Sequence, residues 1–171
     1  MWYVIQTFSG DEERTADMIR CQIPSCYIEE CFIPKRVRMK KFCGVWNKVE
    51  EIIFQGYVFA DSYRPEELYQ ELRRIPKLTK VLGREDANFF PLNETEERLI
   101  RRIGDENHKT GISRIEIHGE RKIRVIEGPL KNYVGDVIKV NLHKREVVVR
   151  MEFMGKPVEL FMGVEMVDTC I

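Results

Sequence analysis

The segment Arg124-Val125-Ile126-Glu127-Gly128-Pro129-Leu130-Lys131-Asn132-Tyr133-Val134-Gly135-Asp136-Val137-Ile138 constrains this chain more than any other stretch. Apolar residues alternate with polar ones on either side of a Gly-Pro turn, as expected for strands of a small sheet with one buried face. Gly128-Pro129 and Gly135 supply turn geometry that other residues adopt poorly. From Arg121 onward the pattern stays strand-like, about five short strands in all, which suits a small barrel. Val147-Val148-Val149 lies at its centre, and β-branched residues in a period-two pattern favour strands over helices.

The first hundred residues read differently. Residues 2–8 read as a strand, and Ser9-Gly10-Asp11-Glu12 as a capping box with Ser9 as N-cap, opening a helix that runs to about Arg20. Ile28 to Met39 reads as a long strand interrupted by Pro34, and so as an edge or bulged strand. Val45 to Ile53 pairs back with it after a turn near Cys43-Gly44. Ile53-Phe54-Gln55-Gly56-Tyr57-Val58-Phe59-Ala60 is nearly all apolar and reads as a central strand covered on both faces. Arg64-Pro65-Glu66-Glu67 opens a second helix, with proline and acids where the first turn favours them. A short strand is expected at Val81-Leu82. A third helix is expected over Leu92–Ile103, with Asn93 as cap and Glu96 at its third position. The fold class is therefore α+β: an α/β domain over 1–103, a polar linker over 104–118, and a five-stranded barrel over 119–171. The linker's coil reach is on the order of 20 Å.

Composition narrows the function classes. At 171 residues, 43% hydrophobic and 33% charged, the chain is one ordinary globular domain or two small ones. No run approaches the ~18 apolar residues of a membrane span. Met1-Trp2-Tyr3-Val4-Ile5 has neither a basic lead nor cleavage-like small residues, so no signal peptide and a cytoplasmic location are expected. The formal net charge is zero, so there is no global positive field, and any nucleic-acid binding must use a local patch. Cys21, Cys26, Cys31, Cys43 and Cys170 have no C-x-x-C spacing, and His108, His118 and His143 lie far off. Reduced structural thiols are expected, with no metal and no cofactor. No nucleophile constellation, phosphate loop or paired acidic metal motif is present in the sequence, so an enzyme is not expected.

The segment around Gly128 resembles the KOW motif of the NusG family of transcription factors. The N-terminal part resembles the same family's N-terminal domain at Trp2-Tyr3-Val4, Ser9-Gly10, Phe54-Gln55-Gly56-Tyr57-Val58-Phe59, Val81-Leu82-Gly83, Pro91-Leu92 and Glu96. Gln55 stands where proline is usual. Within the family the chain is most similar to the specialised LoaP-type antiterminator paralogs. The segments that carry this are Lys41-Phe42-Cys43-Gly44-Val45-Trp46, Leu78-Thr79-Lys80-Val81-Leu82-Gly83, Leu142-His143-Lys144-Arg145 and Leu160-Phe161-Met162-Gly163-Val164-Glu165-Met166-Val167. Phe153-Met154-Gly155-Lys156-Pro157-Val158-Glu159-Leu160 departs from the loop with which the general factor binds Rho or a ribosomal protein.

The resemblance implies an elongation or antitermination factor that acts as a monomer. Its N-terminal domain would grip a coiled-coil clamp region of the RNA polymerase large subunit with an apolar patch. Phe54, Tyr57, Tyr3 and Phe8 are the candidates, set against a core role for the aromatic residues. Arg36, Arg38, Lys40 and Lys41 lie in a basic run that is either a solvated edge strand or a contact with nucleic acid beside the polymerase, upstream DNA included. On an extended strand Arg36, Arg38 and Lys40 share a face. In the barrel, Ile123, Val125 and Val137 are expected to point inward and Lys122 and Arg124 outward. With Lys131, Asn132, Tyr133, His143, Lys144, Arg145, Arg150 and Lys156, these outward residues are either ordinary solvated groups or the contacts for an RNA hairpin in a leader transcript. The general elongation factor, whose barrel binds proteins, is the competing reading.

Overall fold

The computed structural model describes residues 1–81, 89–118, 122–133 and 137–167; Leu82, Gly83, Gly135 and Cys170, singled out above, lie outside them. In chain order the first elements are β1 (Trp2–Gln6), α1 (Glu12–Gln22), β2 (Glu30–Phe32), β3 (Lys35–Phe42), β4 (Val45–Ile52), β5 (Tyr57–Asp61), α2 (Pro65–Arg74), α3 (Pro76–Val81) and β6 (Phe89–Pro91). Then come α4 (Glu94–Ile103), β7 (Lys109–Thr110), β8 (Ser113–His118), β9 (Lys122–Glu127), a 3-10 turn at Pro129–Asn132, β10 (Val137–Asn141), β11 (Glu146–Phe153) and β12 (Lys156–Met166). The chain forms two compact units, one of residues 1–33 with 54–97 and one of residues 34–53 with 98–171. Residues 109–110 and 113–118, within the stretch read above as a linker, are strands.

In the first unit the sheet order is β2-β5-β1-β6. Strand β1 pairs antiparallel with β5 from Trp2 opposite Asp61 to Gln6 opposite Tyr57. Trp2, Val4, Ile5, Val58, Phe59 and Ala60 are fully buried, as their continuous apolar character requires. Each large side chain so buried contributes about 1.5–3 kcal/mol. Trp2, Phe32 and Phe59 form an aromatic cluster with centroids 4.7 to 6.4 Å apart. The Trp2 indole N–H donates to Asp61 at 3.2 Å, which satisfies its polar atom. Helix α1 packs on β2 and β5 with Glu12, Thr15, Ala16 and Ile19, the spacing of one helical face.

Several local expectations are met and several are corrected. Pro65 does open α2, and Asn93 caps α4 reciprocally with Glu96: the Glu96 amide donates to Asn93 Oδ1 at 2.9 Å and the Asn93 amide to Glu96 at 3.3 Å. Ser9 does not cap α1, whose N-cap is Asp11 without a side-chain bond. Glu12 turns inward instead, and its carboxylate accepts the amides of Gly10 and Gly56, each at 2.7 Å. The expected Ile53–Ala60 strand starts only at Tyr57, because Gly56 at φ +81 makes a turn that brings its carbonyl to the Thr7 amide at 2.8 Å. The Ile28–Met39 strand begins at Glu30 and is split at Pro34 into β2 and β3, which belong to different sheets. Val81 ends a helix opened by Pro76 rather than opening a strand.

In the second unit a curled five-stranded sheet has the order β10-β11-β12-β8-β9, as expected for a small KOW-type barrel. Strand β11 pairs with β12 over its whole length, from Glu146 opposite Gly163 to Phe153 opposite Lys156. Met154 and Gly155, at φ 54 and 71, form the two-residue turn between them, as such hairpins require. Val147, Val149, Met151, Phe153, Leu160, Met162, Val164 and Ile115 fill the inner face. At Gly128, φ is +100 and an added Cβ would lie 2.6 Å from Ser113 Cα, so only glycine fits this turn. The following Leu130 amide donates to the buried Ser113 hydroxyl at 2.9 Å. Strands β3 and β4 form a hairpin through Cys43 and Gly44, both at positive φ, with β7 parallel to the start of β3.

The buried Glu12 carboxylate yields a prediction. A hydrogen bond to a charged group is worth about 1.5–3 kcal/mol, so Glu12→Ala is expected to cost on the order of 3 kcal/mol. Glu12→Gln, which keeps one acceptor, is expected to cost less. Urea unfolding of the three proteins checks this, and equal midpoints would show that water replaces the carboxylate.

Candidate functional site

The four aromatic candidates of the first unit are not equivalent. Phe54 is 7% exposed, with its ring 5.6 Å from that of Phe59. The register puts Tyr57 on the same face of the sheet as Phe59, and Tyr3 on the opposite one. Tyr57 is half-buried. Tyr3 is buried, stacked on Phe89 with centroids 5.0 Å apart, and burial raises its phenol pKa. Phe8, beyond the end of β1, is 64% exposed. It stands over a groove floored by Thr7, Thr15 and Leu78 and edged by Arg14, Met18 and Lys77. Sequence reading missed the groove's far wall, because Pro76 to Leu78 comes to Phe8 only through the packing of α3.

The basic run lies on β3. Its Arg36 and Arg38 share a face, as alternation requires, but both are engaged. Arg36 pairs with Glu51 at 2.7 Å, donates to the Phe161 carbonyl at 2.7 Å, and lies 5.3 Å from the Phe161 ring centroid. Arg38 pairs with Glu146, and its Nε lies 3.4 Å from Glu51. The Arg36–Glu51 pairing was legible once the Cys43-Gly44 turn set the register, since these residues sit directly opposite. The pairing of Arg38 with Glu146, more than a hundred residues on, was not. Lys40 and Lys41 are exposed near the hairpin tip, beside Phe42 and Val45, which are 70% and 62% exposed.

On the barrel, Lys122 and Arg124 are exposed while Ile123 and Val125 are half-buried, the expected alternation. Val137 departs from it. It is 45% exposed and lines an open apolar groove with Ile117, Ile123, Ile138, Val140 and Leu142. Lys131 and Asn132 are exposed in the 3-10 turn, and Lys131 Nζ donates to the Ile126 carbonyl at 3.3 Å. The Tyr133 hydroxyl donates to the Arg150 carbonyl, which anchors that turn to β11. His143 and Lys144 are exposed, and Arg145, at φ 52, lies 4.2 Å from the Trp46 ring centroid. Arg150 and Lys156 are exposed. The barrel thus offers separate cations on several strands and turns, a surface suited to phosphate contacts.

The family model described as "Transcription termination factor nusG" matches residues 1–101. The chain belongs to the NusG family. It is 29% identical to the transcription termination/antitermination protein NusG of Haemophilus influenzae over 168 residues, 95% of this chain and 91% of that protein. It is 30% identical to NusG of Buchnera aphidicola over 93% of this chain and 91% of that protein, and 24% identical to NusG of Bacillus subtilis over 93% of each. A solved structure that describes domain interaction in Thermotoga maritima NusG shares the fold, with a TM-score of 0.56 at 20% identity over 95% of this chain and 92% of that one. The family match takes in β1 to β6 and the β3–β4 hairpin, and the likeness to the relatives runs on through the barrel.

In this NusG-family chain the thiols divide by burial. Cys21, Cys26 and Cys43 are free and exposed, whereas Cys31 is buried, and desolvation pushes its thiol up to about 12. Because the thiolate is the reactive form, Cys31 is expected to resist alkylation at pH 8 while the three exposed thiols react. Mass mapping of iodoacetamide adducts on the native protein checks this. Rapid modification of Cys31 would show that the α1–β2 packing opens. Among the described residues no helix is long and apolar enough to cross a membrane.

Proposed function

We propose that this NusG-family protein is a specialised antiterminator of the LoaP type. The N-terminal domain, over residues 1–103, holds RNA polymerase at its large-subunit clamp region. The stretch after α4 tethers a KOW barrel, built on β8 to β12, that takes an RNA hairpin in the leader transcript. Tethering raises the local concentration of the barrel at emerging RNA, so modest RNA affinity suffices for readthrough of terminators in particular operons. The protein works as a cytoplasmic monomer without a cofactor.

One observation carries this reading: the exposed barrel cations Lys122, Arg124, Lys131, Lys144, Arg150 and Lys156, with His143 beside Lys144, in a chain with no net charge. Spread over several strands and turns, they suit a folded RNA better than a flat polyanion. The general elongation factor, with a protein partner on its barrel, is the second reading. The NusG relatives at 29–30% identity and the open apolar groove beside Val137 favour it.

For the polymerase contact, Phe8 separates function from folding. Phe8→Ala is expected to change stability by less than about 0.5 kcal/mol, as an exposed position does. It should nevertheless weaken binding of the full chain to polymerase several-fold. Phe54→Ala, by contrast, should cost about 3–5 kcal/mol as a core deletion. Co-sedimentation with polymerase and urea unfolding check the pair, and unchanged polymerase binding by Phe8→Ala would remove the groove from the contact.

For the barrel, the full chain should retain one leader hairpin from a genomic leader pool at two salt concentrations, against a nonspecific hairpin. Lys144→Ala should reduce that retention. Weak binding to every RNA, falling steeply with salt as phosphate contacts alone predict, would favour the general factor.

A further inference from the structure

Within the second unit the β3–β4 hairpin lies against the outer face of the β11–β12 pair. By alternation that face carries Glu146, Val148, Phe161 and Gly163. Gly163 decides how close the two can come. An added Cβ there would lie 2.5 Å from the Val37 carbonyl oxygen and 3.0 Å from Arg38 Cα, both backbone atoms. Its backbone is not left-handed, so glycine serves here for space and not for conformational freedom. Three side-chain contacts surround this approach: Arg36 on the Phe161 carbonyl and ring, Arg38 on Glu146, and Arg145 on Trp46.

The contact joins ionic and apolar groups. On that face Glu146 and Val148 are 4% and 5% exposed, while Phe161 is still 39% exposed, so a buried ion pair and one small apolar side chain seal the joint and its aromatic ring stays partly open. A buried ion pair gains Coulomb energy but loses hydration, and its net worth is small while its geometric demand is strict. A cation over an exposed aromatic ring adds only a modest attraction. Such a contact is specific, yet weak enough for another anion to displace.

We propose that the hairpin is a reversible latch on the barrel. Docked, it withholds Arg36 and Arg38 behind Glu146 and the Phe161 carbonyl and covers Arg145 with Trp46. Released, it presents Arg38 and Arg145 to a phosphate backbone, while Arg36 gives up the Phe161 carbonyl and keeps Glu51 across the hairpin. The basic strand and the barrel turn are therefore masked and unmasked together. The proposal rests on reading these two surfaces as nucleic-acid contacts, and it adds that they are switched by one event.

The test uses the full chain and its Gly163→Val variant, which leaves the charge unchanged and obstructs the approach. The chain has two tryptophans, and Trp2 is fully buried, so a change in emission or in acrylamide quenching that is absent in a Trp46→Phe control reports Trp46. The probe is single-stranded oligouridylate, bound at several salt concentrations. The variant is expected to show a red-shifted, more quenchable Trp46. Its log affinity against log salt should be steeper by about 1.4, from two added phosphate contacts at about 0.7 each. Glu146→Gln, which frees Arg38 without adding bulk at Gly163, should move both readouts the same way and carries the test should Gly163→Val disturb the barrel's circular dichroism. Unchanged Trp46 emission in both variants would overturn the latch. A shifted emission with an unchanged salt slope would overturn the withholding of the arginines. Neither result touches the barrel's choice among leader hairpins, which the Lys144→Ala retention assay reads separately.

Discussion

The double burial of β1 sets the plan of the first unit. Trp2, Val4 and Ile5 have no exposure, so this strand needs a neighbour on each edge and a layer on each face. Strands β5 and β6 occupy the edges, and the Trp2–Phe32–Phe59 cluster covers one face. The cost of this arrangement falls on the turn that leads into β5, where backbone amides would otherwise be buried without partners. Glu12 resolves it by accepting the Gly56 amide with one carboxylate oxygen, while the other takes the Gly10 amide at the entry to α1. Because the strand ends at Gln6 and the chain then turns into α1, Phe8 leaves the sheet and stands exposed over a groove.

The second unit is governed by charge placement more than by apolar area. With no net charge, the chain cannot rely on a broad positive field and must separate its cations locally. On the barrel, Lys122, Lys144 and Lys156 are exposed. On the hairpin, Arg36 and Arg38 are committed to Glu51, Glu146 and a carbonyl, whereas Lys40 and Lys41 are not buried by such contacts and lie near an apolar tip of Phe42 and Val45. One basic run therefore has two chemistries along its length. A glycine at position 163 is what allows the committed half to lie against β12.

Local rules succeeded where the cause was local. Cys43-Gly44 marked a hairpin because two consecutive positive φ values are needed there. Asn93 and Glu96 marked a helix start because both ends of the reciprocal cap lie within one turn. Gly128-Pro129 marked the barrel turn for the same kind of reason. Ser9 failed as a cap because Glu12, the other half of its expected box, found better partners at Gly10 and Gly56, the second of them far along the chain. The Phe54 strand was placed too early because an apolar run does not reveal where a turn interrupts it. Val137 was expected inside, but its apolar neighbours line an open groove rather than a filled core. Of the candidate site residues, the exposure of Lys122, Arg124 and Lys144 followed from alternation and turn position, and the burial of Phe54 from its apolar run, while the choice between core and surface for Tyr3 and Phe8 did not.

The sequence by itself determined the α+β class, the barrel pattern after Arg121, the starts of α2 and α4, and the family, because periodicity, turn chemistry and motif order are written within short spans. Only the tertiary structure decided which candidates remain available for binding. Phe54 and Tyr3 are taken into the core by strands far apart in the chain, and Phe8 is left outside it. Arg38 finds Glu146 more than a hundred residues away, and Arg145 finds Trp46 at a similar separation. Such pairings depend on how strands are brought together in space, and the spacing of residues along a chain carries no record of that.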